Sequence, residues 1–284
     1  MKKLAVIGYP IGHSLSPVFQ QAALDVLGLN ASYGRVEVLP QDLPDFVAGL
    51  RSDQWLGVNV TVPHKEVIIP LLDGLSPEAE AIGAVNTVIV SQTGRGLLGH
   101  NTDAAGFLRA LQEDGAFDPA GKSVTLLGAG GAARAVAYSL MTARVGRIAI
   151  FNRHGQRAVR LAQACRGWST RTEVRALPWE EAVLAVELRH SQLVVNATSV
   201  GLAAGDTPVF GDLIPPGALV FDLIYNPRPT RFLREAAARG ARSLDGLSML
   251  VYQGAASFEL WTGRKAPVEA MMEAAERAVE GRQT

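Results

Sequence analysis

The chain has 284 residues, enough for a well-buried core and more typical of two domains than of one. Its 27 basic and 27 acidic residues balance, which argues against nucleic acid or an anionic membrane as the main partner. The single cysteine, Cys165, excludes an intramolecular disulfide and fits a reducing compartment, where we expect it to be a small core residue.

The first hundred residues alternate short apolar runs with helical patterns. The run after the basic start ends at Gly8, too soon for a signal peptide, and no run is long enough to span a membrane, so we expect a cytoplasmic protein. Helices are predicted near Pro17, with Ser16 as N-cap, over residues 43–50 and shortly after Lys65. Strands are predicted over residues 4–7, 33–38, 56–60, 87–90 and 96–98, with a hairpin turn at 92–95.

The next segment is a clear β-α-β unit. Residues 123–127 and 147–151 are predicted strands, joined by a turn and an alanine-rich helix, and such a crossover makes the sheet parallel. Further buried strands, at 193–195 and 219–221, extend the α/β pattern. We expect an N-terminal α/β domain (1–103, with 248–284 packing back on it), a Rossmann-type parallel-sheet domain (104–247) and a cleft between them.

A glycine-rich turn joins the first strand and helix of the β-α-β unit. The segment Gly128-Ala129-Gly130-Gly131-Ala132-Ala133 fits the pattern G-x-G-x-x-G/A. The first glycine permits the tight turn, the second lets a pyrophosphate approach, and the helix N-terminus offers free N–H groups to phosphates. A purely structural turn is the alternative, but the flanking strand and helix favour dinucleotide binding.

The residues after the next strand indicate which dinucleotide binds. An acidic side chain there would bond the ribose hydroxyls of NAD, and the segment Asn152-Arg153-His154-Gly155-Gln156-Arg157 contains none. The guanidinium groups of Arg153 and Arg157 match the geometry of a 2′-phosphate. The alternative is a pair of solvated arginines at a helix start, but their position favours NADP.

Three polar clusters precede the dinucleotide unit. Ser14 and Ser16 lie before a helix N-terminus, where they would hold a carboxylate or simply cap the helix. Lys65 follows a strand end, and Asp103 would lie at the domain junction, where helix capping is its alternative role. Together they supply anion donors, an amine and a carboxylate, which suit carbonyl reduction by a hydride. We predict no metal site, because His and Cys do not cluster at metal-ligand spacings.

These motifs together resemble the shikimate dehydrogenase family over nearly the whole chain. Besides the glycine turn and Asn152-Arg153, the resemblance rests on Ser14-Leu15-Ser16-Pro17, Asn59-Val60-Thr61-Val62-Pro63-His64-Lys65, Gly83-Ala84-Val85-Asn86-Thr87, Asn101-Thr102-Asp103-Ala104-Ala105-Gly106, Asn196-Ala197-Thr198-Ser199-Val200-Gly201, Asp222-Leu223-Ile224-Tyr225-Asn226-Pro227 and Gly246-Leu247-Ser248-Met249-Leu250-Val251-Tyr252-Gln253. It implies the reversible reduction of 3-dehydroshikimate to shikimate by NADPH, a step of the chorismate pathway of aromatic amino acid biosynthesis.

The resemblance also implies individual roles. Lys65 would be the catalytic acid/base, paired with Asp103. The substrate-binding residues would be Ser14 and Ser16 on the carboxylate, Thr61, Asn86, Asp103 and Gln253 on the ring hydroxyls, and Tyr225 beside the ring. The cofactor-binding residues would be Gly128, Ala129, Gly130, Gly131 and Ala132 at the pyrophosphate, Asn152, Arg153 and Arg157 at the adenosine ribose and its phosphate, and Thr198, Leu223, Gly246 and Met249 on the nicotinamide side.

Two departures and several alternatives accompany the resemblance. His154 stands where the family often has a small hydroxyl residue, and Leu15 where it often has lysine. A quinate/shikimate dehydrogenase using NAD or both cofactors is the nearest alternative, although relatives that use quinate typically lack one of the two serines. A non-catalytic sensor on the same fold would lack the lysine or the aspartate, and a dehydrogenase acting on folate or an amino acid would lack the serine pair and Gln253. We expect a monomer or a homodimer.

Overall fold

The structure is a computed structural model that describes residues 1–91, 96–203 and 205–281. The chain divides into two units, one formed by Met1–Gly106 with Leu250–Thr284 and the other by Phe107–Met249. The predicted turn at 92–95 lies outside the described residues. Within the described part of the chain, no helix combines the length and the apolar character needed to cross a bilayer.

Strands and helices alternate along most of the chain. The strands are β1 (Lys2–Gly8), β2 (Ala31–Glu37), β3 (Trp55–Val60), β4 (Gly74–Leu75), β5 (Thr87–Val90), β6 (Leu97–His100), β7 (Ser123–Leu127), β8 (Arg147–Phe151), β9 (Glu173–Leu177), β10 (Leu193–Asn196), β11 (Leu219–Asp222) and β12 (Arg242–Leu244). The helices are α1 (Ser16–Val26), α2 (Leu43–Gly49), α3 (Pro77–Ile82), α4 (Asp103–Glu113), α5 (Gly131–Thr142), α6 (Gly155–Trp168), α7 (Glu181–Arg189), α8 (Arg231–Ala238), α9 (Leu247–Thr262) and α10 (Val268–Glu280). Short 3-10 helices cover Pro40–Asp42, Ile69–Leu71 and Gly211–Leu213.

The first unit is built on a mixed sheet with the strand order β2-β1-β3-β5-β6-β4. Strand β1 pairs in parallel with β2 and β3, whereas β5 runs antiparallel to both β3 and β6. The predicted hairpin partners therefore do pair. A core of aliphatic side chains from β1, β3, β5 and α2 covers one face of this sheet, with Ile7, Val58 and Val88 fully buried.

In the first unit, the predicted start of the first helix was wrong in detail, whereas the short helix predicted after Lys65 is present. Helix α1 begins at Ser16 rather than after it, and its N-cap position is Leu15, with no side-chain cap hydrogen bond. Pro17 in the first turn is compatible with this start, because proline needs no intrahelical partner there. The short helix expected after Lys65 is the 3-10 helix Ile69–Leu71.

The second unit is built on a wholly parallel sheet with the order β12-β11-β10-β7-β8-β9. Counted from β7, this is the order 3-2-1-4-5-6 of a Rossmann sheet. Strands β10 and β11 are buried along their whole length, as expected when helices cover both faces of a parallel sheet. The predicted α/β fold with a Rossmann-type sheet is confirmed.

The cysteine lies where the sequence places it, on the buried face of α6. Cys165 is fully buried, and burial raises the pKa of its thiol to about 12. A thiol that resists ionisation is a poor nucleophile and a poor metal ligand. Cys165 is therefore a small core residue of the second unit.

Candidate active site

A largely buried ion pair lies in the first unit. The ammonium nitrogen of Lys65 is 2.5 Å from Oδ2 of Asp103, with 16% of the lysine and 6% of the aspartate side chain exposed. An ion pair so far from water interacts much more strongly than one on the surface. A lysine ammonium has three N–H donors, so the pair leaves Lys65 further donors for a ligand oxygen.

The turn after β3 holds Lys65 in place. His64 is fully buried and its Nε2 lies 2.7 Å from the carbonyl oxygen of Val38. The amide of Val85 donates to the carbonyl oxygen of Lys65 at 2.7 Å. The buried imidazole thus fixes the turn, and the backbone of Lys65 is pinned to the segment that precedes β5.

Asp103 is held by side chains rather than serving as a helix cap. It is the first residue of α4, and the amide of Ala104 donates to Oδ1 of Asn101. Oδ1 of Asp103 accepts a hydrogen bond from Nδ2 of Asn86 at 2.9 Å, while Oδ2 faces Lys65. Both carboxylate oxygens are engaged, so the ion pair has a fixed geometry.

Asn86 is the centre of this cluster. Its Nδ2 donates to Asp103 and to Oε1 of Gln253 at 3.0 Å, and its Oδ1 accepts from the amide of Thr102 at 2.7 Å. A Cβ on Gly106 would lie 2.7 Å from the backbone nitrogen of Gln253, so α4 and α9 approach closely at this point. The structure therefore brings Lys65, Asn86, Asp103 and Gln253 together.

A buried polar network that sequence reasoning missed extends from this cluster. Asn59 Nδ2 donates to the carbonyl oxygen of Asn86, to Thr87 and to Ser257, and Asn59 Oδ1 accepts from the hydroxyl of Tyr33 at 2.7 Å. Burial raises the pKa of Tyr33 well above its usual value, which a hydrogen bond from Ser16 partly opposes. The available signal was Asn59, a polar residue between the apolar residues of a predicted strand.

Three other expected substrate residues lie at the carboxyl ends of β1 and β3. Ser14 and Ser16 are both buried, and the amide of Ser16 donates to Oγ of Ser14 at 3.3 Å. A Cβ on Gly8 would lie 2.6 Å from Cγ2 of Thr61, so the absence of a side chain at Gly8 makes room for Thr61. Tyr225 belongs to the second unit, where it follows β11 and is partly buried.

The glycine turn of the second unit has the backbone that a dinucleotide site requires. Gly128 adopts φ +115°, which favours glycine, and a Cβ there would lie 2.8 Å from the carbonyl oxygen of Ala197. Gly130 is the N-cap of α5, and no heavy atom lies within 4 Å of where its Cβ would be. Ala133 is fully buried. The open space beside Gly130 and the free helix N–H groups fit a pyrophosphate.

The segment after β8 presents two exposed arginines. Arg153 precedes α6 and Arg157 lies in its first turn, both with exposed side chains. Nδ2 of Asn152 donates to the carbonyl oxygen of His154 at 3.0 Å, which closes the turn between them. The arrangement leaves both guanidinium groups at the helix N-terminus, the end that favours an anion.

The remaining expected cofactor residues follow β10, β11 and β12. Thr198 is held by Asn196, whose Oδ1 accepts from both its amide and its hydroxyl. A Cβ on Gly246 would overlap the carbonyl oxygen of Leu223, so only glycine permits these two segments to touch. Met249 is buried.

Asp222 is a fully buried carboxylate. It lies in one of the segments that resemble the family, but no role was predicted for it. It accepts from Nδ2 of Asn196 at 2.9 Å, from the amide of Ile224 at 3.2 Å and from Oγ1 of Thr230 at 2.7 Å. Burial raises its pKa to about 6; these hydrogen bonds oppose the rise and Asp245 adds to it. The sequence signal that could have identified Asp222 is its position, as an acidic residue directly after the apolar run 219–221.

The fold and these two residue clusters define a class of protein. The Rossmann sheet with its glycine turn and arginines is a dinucleotide-binding unit, and the lysine-aspartate pair in the other unit is suited to proton transfer. Together they are the parts of a two-domain NAD(P)-dependent dehydrogenase.

Comparisons with known proteins specify the family. Three family models match: "Shikimate dehydrogenase substrate binding domain" over residues 6–88, "Shikimate / quinate 5-dehydrogenase" over 111–203 and "Shikimate 5'-dehydrogenase C-terminal domain" over 246–276. Shikimate dehydrogenase (NADP(+)) of Moorella thermoacetica is 48% identical over 94% of this chain and 90% of its own length. The chain belongs to the shikimate dehydrogenase family.

Solved structures show the same fold. Shikimate 5-dehydrogenase from Thermus thermophilus, in complex with NADP(H) and shikimate, matches with a TM-score of 0.87 and 42% identity, covering 98% of this chain and 100% of its own. Quinate dehydrogenase from Corynebacterium glutamicum, in complex with NAD, matches with a TM-score of 0.89 and 32% identity, covering 97% and 99%. The fold is thus shared by enzymes of different substrate and cofactor.

The raised pKa of Asp222 predicts a pH-dependent cost to stability. The folded protein favours the neutral carboxyl, because its pKa is about 6 when folded against 3.8 as the reference value. The unfolding free energy therefore falls as pH rises from about 4 to about 6, by about 2 to 3 kcal/mol for this group. Asp222→Asn stays neutral, so its stability relative to the wild type should be about 2 to 3 kcal/mol more favourable at pH 7 than at pH 4.

Urea unfolding followed by circular dichroism at both pH values measures this difference. Asp212→Asn, an exposed aspartate of the same unit, is the control and should show no such change. A difference between Asp222→Asn and wild type that is the same at pH 4 and pH 7 would contradict the prediction.

Proposed function

We propose that the protein is an NADP-dependent shikimate dehydrogenase that reversibly reduces 3-dehydroshikimate to shikimate, in chorismate and aromatic amino acid biosynthesis. The observation that carries the proposal is the buried pair of Lys65 and Asp103, fixed by Asn86 and Gln253. The shikimate and NADP(H) bound to the Thermus thermophilus relative support the choice of ligands.

In this proposal, the first unit binds the substrate. Ser14 and Ser16, beside the start of α1, hold the carboxylate through their hydroxyls and the helix N-terminus. Thr61, Asn86, Asp103 and Gln253 bond the ring hydroxyls, and Tyr225 lies beside the ring. The polar side chains suit a small polyhydroxylated acid, whose hydroxyl groups need partners when they leave water.

The second unit holds NADP. Residues 128–132 receive the pyrophosphate at the start of α5. Asn152, Arg153 and Arg157 receive the adenosine ribose and its 2′-phosphate, while Thr198, Leu223, Gly246 and Met249 face the nicotinamide. NADPH supplies the hydride when it is bound.

Lys65 completes the reduction of the carbonyl. Negative charge develops on the carbonyl oxygen as the hydride arrives, and the Lys65 ammonium stabilises that charge and donates the proton. Asp103 keeps the amine oriented through the 2.5 Å contact. In the reverse direction, the neutral amine accepts the hydroxyl proton, so the same residue serves as base.

Quinate is the alternative substrate, with NAD as the alternative cofactor. The quinate dehydrogenase of Corynebacterium glutamicum shares the fold. Quinate carries an additional ring hydroxyl, and the presence of both Ser14 and Ser16 crowds the carboxylate end and favours shikimate. Exposed Arg153 and Arg157, with no acidic residue beside them in the segment after β8, favour NADP over NAD.

We also propose that the protein works in the cytoplasm as a monomer or homodimer. The single buried thiol, Cys165, suits a reducing compartment. Shikimate and the nicotinamide cofactors are small molecules, and the balanced charge of the chain provides no general attraction to nucleic acid.

One assay tests the proposed function. Nicotinamide absorbance is followed with shikimate and with quinate, each against NADP and NAD. We expect kcat/KM to be at least about tenfold higher for shikimate with NADP than for any other combination. Absence of shikimate oxidation with NADP would refute the proposal, and faster turnover of quinate with NAD would establish the alternative.

Removing the amine should abolish most of the chemistry. Lys65→Met keeps most of the length of the side chain but has no proton to donate, so kcat should fall about a hundredfold or more with little change in the KM of shikimate. Steady-state kinetics on protein shown to be folded by circular dichroism measures this effect. Lys265→Met, at an exposed lysine of the same unit, should leave kcat unchanged, and an unchanged kcat for Lys65→Met would remove Lys65 from the reaction.

Removing one guanidinium should change the choice of cofactor. Arg153→Ala should raise the KM of NADPH about tenfold, since a charge-assisted bond to the 2′-phosphate is lost, and raise that of NADH less than about twofold. Arg160→Ala, at an exposed arginine farther along α6, is the matched control. An equal loss of both cofactors in Arg153→Ala would show that the arginine does not recognise the phosphate.

A further inference from the structure

The strand order of the second sheet separates the two halves of a bound dinucleotide. The two mononucleotide halves of such a sheet meet at the switch point, here between β7 and β10, and the ligand lies along the carboxyl ends of the strands. Arg153 and Arg157 follow β8, which places the adenosine half on that side of the glycine turn. The nicotinamide half therefore faces the segments that follow β10 and β11.

Buried polar residues end both of these strands. Asn196 is the last residue of β10 and Asp222 the last of β11; they are paired in register and fully buried. Nδ2 of Asn196 donates to Oδ1 of Asp222 at 2.9 Å. The two side chains join the strands at the edge where the nicotinamide half lies.

The orientation of the Asn196 amide is fixed by its partners. Nδ2 also donates to the carbonyl oxygen of Val200 at 3.0 Å, and Oδ1 accepts from the amide and the hydroxyl of Thr198 at 3.1 and 2.7 Å. Both N–H donors and both lone pairs of the amide are used. Rotation of the amide would face donor with donor, so the contact with Asp222 determines how Thr198 is held.

The same carboxylate organises the segment after β11. It accepts from the amide of Ile224 and from Oγ1 of Thr230, and Thr230 in turn accepts from the amide of Leu233 as the N-cap of α8. Asp222 thus joins the segment after β10, the segment after β11 and the start of α8. Its three donors are neutral groups, so geometry rather than ion pairing defines the contact.

These segments also pack closely on each other and on the glycine turn. A Cβ on Gly201 would lie 3.1 Å from Cδ1 of Ile224, and a Cβ on Gly128 would lie 3.3 Å from Cγ2 of Thr198. Little room is left for one segment to move without the other. A shift in either would change the surface that the nicotinamide half meets.

We propose that Asp222 is a positioning residue for the nicotinamide half of the cofactor. Its hydrogen bonds to Asn196, Ile224 and Thr230 hold the segments that contain Thr198 and Leu223 in one arrangement. The inference rests on the proposed function for the identity of the cofactor. In this proposal Asp222 does not contribute to binding the adenosine half, which the glycine turn and the segment after β8 bind. A residue needed only for stability would affect both halves alike.

The test compares a whole cofactor with a fragment that lacks nicotinamide. Calorimetric titration of the full chain with NADPH and with adenosine 2′,5′-bisphosphate is carried out on the wild type, Asp222→Ala, Asp222→Asn and Val220→Ala. Val220 is a fully buried residue of the same strand, so its variant controls for a lost core contact. The Asp222→Asn variant retains an acceptor for Asn196 and Ile224 and directs its amide donor at Thr230.

We expect Asp222→Ala to weaken NADPH at least about fivefold and the fragment less than about twofold, since one buried hydrogen-bond centre is lost. Asp222→Asn should recover most of the NADPH affinity, and Val220→Ala should change neither ligand more than about twofold. In turnover, Asp222→Ala should lower kcat about tenfold with the KM of shikimate changed less than about twofold. Equal weakening of both ligands by Asp222→Ala, an unchanged NADPH affinity, or an Asn variant as impaired as the Ala variant would overturn the proposal.

Two further outcomes separate this proposal from the proposed function. If the wild type binds NADPH but does not oxidise shikimate, the substrate assignment fails while the binding pattern still decides the role of Asp222. A wild type that does not bind NADPH overturns both. If Asp222→Ala does not fold, Thr230→Val removes the donor to Oδ2 and should weaken NADPH at least about twofold with the fragment unchanged; equal effects on both would again overturn the proposal.

Discussion

The buried contact between Lys65 and Asp103 constrains the polar cluster of the first unit. Removing two charges from water is costly, and their mutual attraction offsets that cost only where further hydrogen bonds satisfy the remaining atoms. Asn86 and the segments around it meet this requirement. The buried polar cluster around Asn86 is therefore a condition for placing a charged amine away from solvent.

The second unit meets a different constraint, which comes from its parallel strands. All carboxyl ends of a parallel sheet emerge at one edge, so the residues that end β7, β8, β10 and β11 gather there. Each connecting segment then needs hydrogen-bond partners for its backbone groups and contacts that fix its conformation. Gly128 lets the glycine turn approach the segment after β10 closely. The hydrogen bond between Asn196 and Asp222 fixes the segments after β10 and β11 relative to each other.

Local patterns made much of this fold predictable, whereas long-range polar contacts were not. Alternating apolar runs and helices predicted the Rossmann sheet, and the glycine pattern located its first turn, because both signals lie within a few neighbouring residues. The hydrogen bond between Asn59 and Ser257 joins residues 198 positions apart, and no local signal encodes it. The start of α1 shows that a local pattern can also mislead. Serine is a common N-cap residue, yet Ser16 is the first residue of the helix and no side chain caps it.

A comparison of Asp103 with Asp222, both buried, shows how the surroundings decide what an aspartate does. Asp103 has an ammonium at 2.5 Å and one amide donor, so its charge is balanced locally and acts on the amine beside it. Asp222 accepts hydrogen bonds from neutral donors, and no cation among them balances its charge. Its contribution to the structure is therefore the direction of its hydrogen bonds. The first arrangement suits proton transfer at a substrate oxygen. The second suits holding chain segments at fixed positions, even though burial of the Asp222 carboxylate lowers the unfolding free energy at neutral pH.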